Sequence, residues 1–514
     1  MNASARTTRG PSGKRWLAVL PATVVVVAVA VLLALPRVRP ARPTPPNVLL
    51  ISVCSIRPDH MSCYGYRRKT TPNLERFASE SIVFEHAVTQ WPKTVPAFAA
   101  IMTGKYGHTT GVMRITPFQR LPDEHETLAE VFAAHGYDTA AFIATPVLHA
   151  RTNMLQGLQT VEEAWRLPPH MSDHGATRAA LTWLRDRGTA GVPGESSSAT
   201  RAGARPFFVW VHYNNAHQPY YPAAAPRGLF VGDEFYDAGR RVRVNTRPMD
   251  VAGLPPDHPY FDRVVQPDIG GVHLSAVLRE NPTELDYYIA QYDACIRSVD
   301  LMASKLLREL RAMGLLETTI VALVGDHGES LGQHNYFFGH GRLPYEDSAR
   351  VPLMIRLPGG VEPRRITLPV AAFDLAPTLL ELAGITPPSE MEARSLLPLL
   401  RGEQTERYVF MECGYQRDYM LAVWHRQWKL IHIPSPIDRQ FMTGAEYELY
   451  DLRHDPGELD NVYSSRPQVA AKLRRVLAEW SAPWRERAYR WPVVRGQLLD
   501  EETRERLRAL GYLP

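Results

Sequence analysis

The sequence has little cysteine, no internal repeat and no basic excess over its main part. Only four cysteines occur in 514 residues, Cys54, Cys63, Cys295 and Cys413, and none has CxxC spacing. They could pair in an oxidising compartment, and the sequence leaves that pairing open. The formal net charge is +4, and seven basic residues lie before position 43. Without a basic surface on the main part, nucleic acid is excluded as a predicted partner.

One apolar run without charge lies near the N-terminus, at residues 16–35. About twenty residues at 1.5 Å each span a bilayer core. No small-residue cleavage site follows the run, so we expect a retained transmembrane anchor in preference to a cleaved signal peptide. Residues 1–15, which include four basic residues, then form a cytoplasmic tail, in keeping with the positive-inside bias. The proline-rich residues 36–46 form a linker to an extracytoplasmic main domain.

The main part alternates short apolar runs with helical patterns. Apolar runs without polar alternation, typical of strands buried on both faces of a parallel sheet, lie at residues 47–53, 207–212, 319–324 and 352–356. Helical periodicity appears at residues 71–80, 126–135, 177–187 and 284–316. This alternation predicts an α/β fold with a mostly parallel sheet sandwiched by helices. Ligands in such folds bind beyond the carboxyl ends of the strands.

Composition also divides the main part. Residues 188–205 are rich in Gly, Ser and Ala and predict a disordered excursion. Residues 227–267 are irregular and predict a substrate entrance built from loops. From about residue 406 the pattern changes to short strands and a helix at 467–480. We therefore place a main domain at 47–405 and a smaller α+β subdomain at 406–514.

The strongest local signal is Asp326-His327, directly after the apolar run at 319–324. A carboxylate and an imidazole on a strand-to-loop turn can both bind one metal ion. Alternatively, Asp326 caps a helix and His327 is exposed. The surrounding sequence favours the first interpretation.

Seven segments carry a wider resemblance, in this order: PNVLLISVCSIRPDHMSCYGY, TPNLERFASESIVFEHAVTQ, VPAFAAIMTGKYGHTTGV, VGDHGESLGQH with YEDSARVPLMIRLPG, AAFDLAPTLLELAGI, YELYDLRHDPGELDNV and RERLRALGYL. Together they resemble the sulfatase family of the alkaline phosphatase superfamily over about residues 47–514. The resemblance implies the alkaline phosphatase-like fold, a catalytic domain at 47–405, a divalent metal ion, and hydrolysis of sulfuric or phosphoric esters.

The resemblance places Thr94 at the nucleophile. Typical sulfatases make formylglycine from the cysteine of a C-x-P-x-R segment, whereas this sequence has Thr94 at the cysteine and Phe98 at the arginine. Formylglycine is therefore not expected. A metal ion can activate a threonine hydroxyl, and related phosphoethanolamine and glycerophosphate transferases use threonine in this role. The alternative is that Thr94 caps the helix that comes after it.

A second departure lies at the metal. The family's first metal carboxylate is replaced by Cys54. Because thiolates suit zinc, Cys54, Asp326 and His327 with Thr94 predict a tetrahedral zinc site, and without Cys54 the ion is calcium, magnesium or manganese. The alternative is that Cys54 is only a small buried residue and that metal binding has been weakened or lost.

Three histidines of matched segments, His212, His217 and His340, complete the predicted site. His217 and His340 resemble family positions that contact the ester or donate a proton to its leaving oxygen, and we predict them to be catalytic. His212, at a strand end, is predicted to bind substrate. Four other residues receive no functional role: His60, His108, His334 and Lys93, the last expected to be a solvated surface charge.

These features support three functions. The first is a membrane-anchored hydrolase acting on a sulfated or phosphorylated glycan, lipid or small molecule through Thr94. The second is a transferase that passes a phosphorylated head group through Thr94. The third is a sulfatase fold that binds such esters without turnover, since three positions of the family's chemical machinery have changed.

Overall fold

The computed structural model describes residues 45–113, 119–189, 205–218, 220–240, 284–403, 405–414, 419–485 and 500–509. The predicted anchor at 16–35 lies outside these residues, as do most of the predicted excursion at 188–205 and the second half of the stretch at 227–267. Among the described residues, no helix has both the length and the apolar character needed to cross a membrane.

The described strands form three sheets. In chain order they are β1 (Asn47–Val53), β2 (Ile82–Val88), β3 (Asp138–Ile143), β4 (Thr160–Glu162), β5 (Phe207–Tyr213), β6 (Thr319–Gly325), β7 (Ser330–Leu331), β8 (Phe337–Gly339), β9 (Arg350–Arg356), β10 (Arg364–Ile366), β11 (Val370–Ala371), β12 (Val409–Cys413), β13 (Met420–His425), β14 (Trp428–His432) and β15 (Tyr447–Asp451).

The large sheet has the order β10-β2-β9-β6-β1-β5-β3-β4, with β11 beside β2. Strand β9 runs antiparallel to both of its neighbours, β2 and β6. The remaining pairs are parallel. The predicted α/β fold with a mostly parallel sheet is thus confirmed, although the run at 352–356 belongs to the antiparallel strand.

The described helices are α1 (Pro72–Ala78), α2 (Thr94–Thr103), α3 (Gly107–Thr110), α4 (Leu128–Ala134), α5 (Ser172–Thr189), α6 (Leu285–Ala312), α7 (Glu346–Ala349), α8 (Leu375–Leu382), α9 (Leu397–Leu400), α10 (Pro436–Phe441), α11 (Pro467–Ser481) and α12 (Glu501–Ala509). The four predicted helical regions correspond to α1, α4, α5 and α6. The last of these ends at Ala312, because Gly314 adopts a left-handed conformation with φ of 65°.

Apolar side chains cover both faces of the large sheet. On β1, Leu49 and Ile51 pack in a cluster with Tyr292 and Val299 of α6. Leu50, on the opposite face, packs in a cluster with residues of α2 and α8. Full burial on both faces explains why these strands lack polar alternation, and each buried aliphatic side chain contributes roughly 1.5–3 kcal/mol.

A second sheet forms the C-terminal subdomain, with the antiparallel order β12-β13-β14-β15. Leu473 and Leu477 of α11 pack in a cluster with Leu430 and Leu449 of this sheet. The Tyr345 hydroxyl, just before α7, donates to Glu448 Oε2 at 3.0 Å. A smaller C-terminal layer is therefore present, as predicted, and buried polar contacts join it to the main domain.

Candidate active site

The carboxyl ends of two strands and the first residue of a helix meet at one place. Strand β1 leads into Cys54, β6 leads into Asp326 and His327, and α2 begins at Thr94. Strands β1 and β6 are parallel neighbours, so their carboxyl ends lie side by side. The Asp326 amide donates to Val53 O at 3.2 Å and closes this edge.

Cys54, Asp326 and His327 have the arrangement of a metal site. Their ligand atoms all lie within 4.8 Å of one another, and all three residues are buried. Asp326 Oδ1 accepts from the amides of Ser55 at 3.0 Å and His327 at 2.7 Å. Asp326 Oδ2 is buried and has no hydrogen-bond partner among the described residues. An unpartnered buried oxygen is costly, and a divalent cation would satisfy it. The donor set fits such an ion.

The hydrogen bonds of His327 define its tautomer. Its Nδ1 donates to Gly328 O at 2.8 Å, because a carbonyl can only accept. Its Nε2 is therefore an acceptor in the neutral ring. Burial lowers the pKa of His327 well below its usual value, and Lys93 and His217 lower it further. Burial also raises the pKa of Asp326 to about 7, despite its hydrogen bonds. His327 thus presents a lone pair to a metal ion or a proton.

Thr94 lies beside this cluster. Its Oγ1 is 3.1 Å from His327 Nε2 and 3.5 Å from Cys54 Sγ. Lys93 is the N-cap of α2, and no side chain makes a capping hydrogen bond there. The alternative that Thr94 caps the helix is therefore wrong, since its hydroxyl contacts the cluster. The positive end of the ten-residue helix α2 favours developing negative charge at this point.

Phe98 stands one helical turn after Thr94 and is fully buried. Its ring lies 4.9 Å from that of Trp210 and 5.0 Å, edge-on, from that of His212. Ser52 Oγ accepts from Trp210 Nε1 at 2.7 Å and lies 2.8 Å from His212 Nδ1. Burial, with His217 nearby, lowers the pKa of His212 to about 3. His212 is therefore packed in its neutral form against Phe98 and Ser52. Its predicted role in substrate binding stays a prediction.

Lys93 was expected to be a solvated surface charge, and that expectation is wrong. The residue is only 8% exposed, because the start of α2 is enclosed by the elements around the site. Its Nζ donates to His340 Nε2 at 3.2 Å. His340 Nδ1 in turn donates to Glu329 Oε2 at 2.9 Å. Burial raises the pKa of Glu329 to about 8, and the charge of Lys93 opposes that rise.

His217 and His340 lie close together beside His327, and their catalytic roles stay a prediction. Their ring centroids are 5.1 Å apart, and the His340 ring stacks on that of His327 at 4.2 Å. His217 Nδ1 donates to Gln218 O at 2.6 Å, so Nε2 is the acceptor of its neutral ring. Asp173 of α5 fixes the loop that carries His217. Its carboxylate accepts hydrogen bonds from the backbone amides of Asn214 and Asn215, directly after β5.

The three histidines without a predicted role, His60, His108 and His334, make contacts elsewhere. His60 Nδ1 is 2.7 Å from Asp293 Oδ1, His108 pairs with Glu412, and the His334 ring stacks on Tyr345. Sequence reasoning missed Lys93, Glu329 and Asp173 as residues that shape the site. Lys93 directly precedes Thr94 and Glu329 follows His327 by two residues, and this proximity in the chain was their only signal. For Asp173 the sequence offered no signal.

The fold and the site together define an α/β protein of the alkaline phosphatase type. A family model described as Sulfatase matches residues 46–385, and one described as N-sulphoglucosamine sulphohydrolase, C-terminal, matches residues 332–482. The chain belongs to the sulfatase family, a family of sulfuric ester hydrolases.

Individual relatives agree with this membership. An N-acetylglucosamine-6-O-sulfatase of Bacteroides thetaiotaomicron is 24% identical, covering 84% of this chain and 85% of its own. The solved structure of a 2-O GAG sulfatase has a TM-score of 0.64 at 22% identity, covering 90% of this chain and 96% of its own. A phosphonate monoester hydrolase of Agrobacterium radiobacter has a TM-score of 0.57 at 21% identity, covering 85% and 96%. At these identities the structures show a shared fold.

Proposed function

We propose that the chain hydrolyses sulfate esters with Thr94 as its nucleophile. One observation carries this proposal: the Thr94 hydroxyl lies 3.1 Å from His327 Nε2, at the edge of a buried metal-type cluster. A threonine that served only the helix would direct its hydroxyl to a backbone amide of α2. Here the hydroxyl is instead held among groups suited to activating an alcohol.

The proposed reaction has two displacements. In the first, the Thr94 hydroxyl gives up its proton and Oγ bonds to the sulfur, while the bond from sulfur to the leaving alcohol oxygen breaks. That oxygen takes the electron pair and a proton, and His217 would carry this proton from Thr94 on the lone pair of its Nε2. In the second, water attacks the sulfur, the bond from sulfur to Thr94 Oγ breaks, one proton of the water returns to Oγ, and sulfate leaves with the other.

Cys54, Asp326 and His327 would hold the divalent ion, and zinc is the proposed metal because one donor is a thiol. Such an ion lowers the pKa of a coordinated hydroxyl and withdraws charge from ester oxygens. Burial and the Asp326 charge raise the pKa of the Cys54 thiol well above its usual value. Cys54 would therefore lose its proton only when the ion is bound.

We propose a sulfated glycan as the substrate class. Support comes from the relatives named for sulfated sugars, an N-acetylglucosamine-6-O-sulfatase and a 2-O GAG sulfatase. A sulfate monoester on a sugar hydroxyl is compatible with a nucleophile, a metal-type cluster and imidazoles gathered at one edge of the sheet. The loops that select one sugar over another differ among proteins of one fold.

The test is turnover of aryl sulfate, phosphate and phosphonate esters by the full chain and its Thr94 variants. Thr94→Ala should lower kcat at least 10³-fold, and Thr94→Ser should keep part of the activity because it keeps the hydroxyl. Thr103→Ala is the matched control, since Thr103 lies at the far end of α2, where its side chain bonds to Ala99 O and the Lys105 amide.

Full activity in Thr94→Ala would reject Thr94 as the nucleophile. A stable covalent adduct on Thr94 without release of inorganic product would favour the transferase, and no turnover with any ester class would favour binding alone.

We also propose that residues 16–35 anchor the chain in a membrane, with the main domain outside the cytoplasm. The uncharged apolar run and its basic flank support this proposal. Extraction of membranes at alkaline pH should leave the full chain in the pellet, and recovery in the supernatant would contradict an anchor.

A further inference from the structure

Lys93 occupies an unusual position for a lysine. It is the N-cap of α2, directly before Thr94, and its side chain lies almost entirely away from solvent. Serine, threonine, aspartate and asparagine are favoured at N-caps, whereas a cation at the positive end of a helix is unfavourable. Removing a charged ammonium from water adds a further cost. Helix stability therefore does not explain Lys93.

Lys93 lies near a position where the resemblance to the sulfatase family leads us to expect a positive charge that is absent here. Position 98, on the same helix one turn further on, holds a phenylalanine buried against Trp210 and His212. That side chain offers nothing to an anion. The ester group that reaches Thr94 carries negative oxygens, and these need a cation or N–H donors in a buried site. Lys93 is a cation held beside Thr94.

His340 and Glu329 fix where that cation lies. Lys93 Nζ donates to His340 Nε2 at 3.2 Å, and an ammonium has no lone pair with which to accept. His340 must therefore donate from Nδ1, which it does to Glu329 Oε2 at 2.9 Å. In this chain of hydrogen bonds neither nitrogen of His340 has a proton to give to an ester.

We propose that Lys93 is the residue that binds the non-bridging oxygens of the ester's sulfate or phosphate group, and that His340 and Glu329 are positioning residues that act through it. The proposal deepens the proposed function of the Thr94 site. It also changes the role of His340, which holds the Lys93 ammonium in place and does not itself donate to the leaving oxygen.

Binding of inorganic sulfate and inorganic phosphate to the full chain tests the proposal, with and without added zinc. Lys93→Met should weaken binding of the preferred oxyanion at least tenfold, and Lys93→Arg should recover most of it. Lys105→Met is the matched control, because Lys105 stands just past the other end of α2, and it should bind like the wild type. His340→Gln should weaken binding less than Lys93→Met does.

In turnover assays, Lys93→Met should raise KM more than it lowers kcat, since ground-state binding of the oxyanion is lost. Unchanged oxyanion affinity in a folded Lys93→Met protein would overturn the proposal, whatever Thr94 does. Conversely, full activity in Thr94→Ala would reject the nucleophile and leave the oxyanion test of Lys93 intact.

Should Lys93→Met not fold, the wild type supplies a second measurement. Acetylation of the Lys93 amine should be slowed at least several-fold by saturating sulfate or phosphate, with Lys105 as the internal reference. Equal protection of both lysines, or of neither, would overturn the proposal.

Discussion

The sequence predicts that Cys54, Thr94 and Phe98 depart together from the usual sulfatase pattern, and the structure brings the first two into contact. Cys54 Sγ and Thr94 Oγ1 are 3.5 Å apart, and Phe98 comes one helical turn after Thr94. One local cluster therefore contains both the predicted nucleophile and the predicted thiol ligand.

The identity of the metal is a prediction at the residue scale. Cys54→Asp should lower the affinity for zinc at least tenfold and raise the affinity for calcium or magnesium, because it replaces a soft donor with a hard oxygen. Elemental analysis after dialysis against each ion measures this preference. Cys63→Ala, which removes a buried thiol outside the cluster, is the control. The same metal content in Cys54→Asp and wild type would remove Cys54 as a ligand.

At the scale of elements, the turn after β6 and helix α7 are fitted closely together. The Gly328 amide donates to Ser348 O at 2.9 Å. A Cβ at Gly328 would lie 2.0 Å from Asp347 O, a backbone atom that cannot move aside alone. This close approach explains why a glycine comes directly after His327.

Gly328→Ala should therefore destabilise the fold by about 1–3 kcal/mol, as overpacking of a filled interior does. Because Gly328 O also orients His327, turnover should fall as well. Denaturant unfolding measures the first effect and ester hydrolysis the second. In the control Gly457→Ala the new Cβ would meet nothing closer than Leu459 Cγ at 3.6 Å. Equal stability of the two variants would contradict this account.

At the scale of the whole molecule, His108 helps to join the main domain to the C-terminal subdomain. Its Nδ1 pairs with Glu412 of β12, and its Nε2 lies 3.7 Å from Glu392 Oε1. Its ring stacks on Trp484 at 4.0 Å. Burial opposes the charged ring, but Glu412 and Glu392 outweigh it and raise the pKa of His108 to about 9.

Stability should therefore depend on pH through His108. A histidine pKa raised on folding adds stability below its unfolded value of about 6.5, and that stability is lost as pH rises toward about 9. The free energy of unfolding should fall over this window by roughly 1–3 kcal/mol more in the wild type than in His108→Gln. Denaturant unfolding at pH 6 and pH 9 measures the difference between variants, because other buried groups titrate equally in both.

His454→Gln is the control for this experiment, since the His454 side chain is 77% exposed. Its unfolding free energy should change with pH as that of the wild type does. Parallel curves for His108→Gln and wild type would show that the Glu412 pair does not stabilise the domain junction.

The sequence by itself determined the α/β class and the strand edge that carries Asp326 and His327, whereas Thr94, His217 and His340 were predicted through the resemblance to the sulfatase family. The first two depend on local patterns, because burial on two faces removes polar alternation and the end of a strand sets the position of the next residues. Tertiary structure alone decided that β9 is antiparallel, that Phe98 packs on Trp210, and that Lys93 is buried against His340. Those outcomes depend on contacts between segments far apart in the chain, and no local pattern specifies which charge such contacts will enclose.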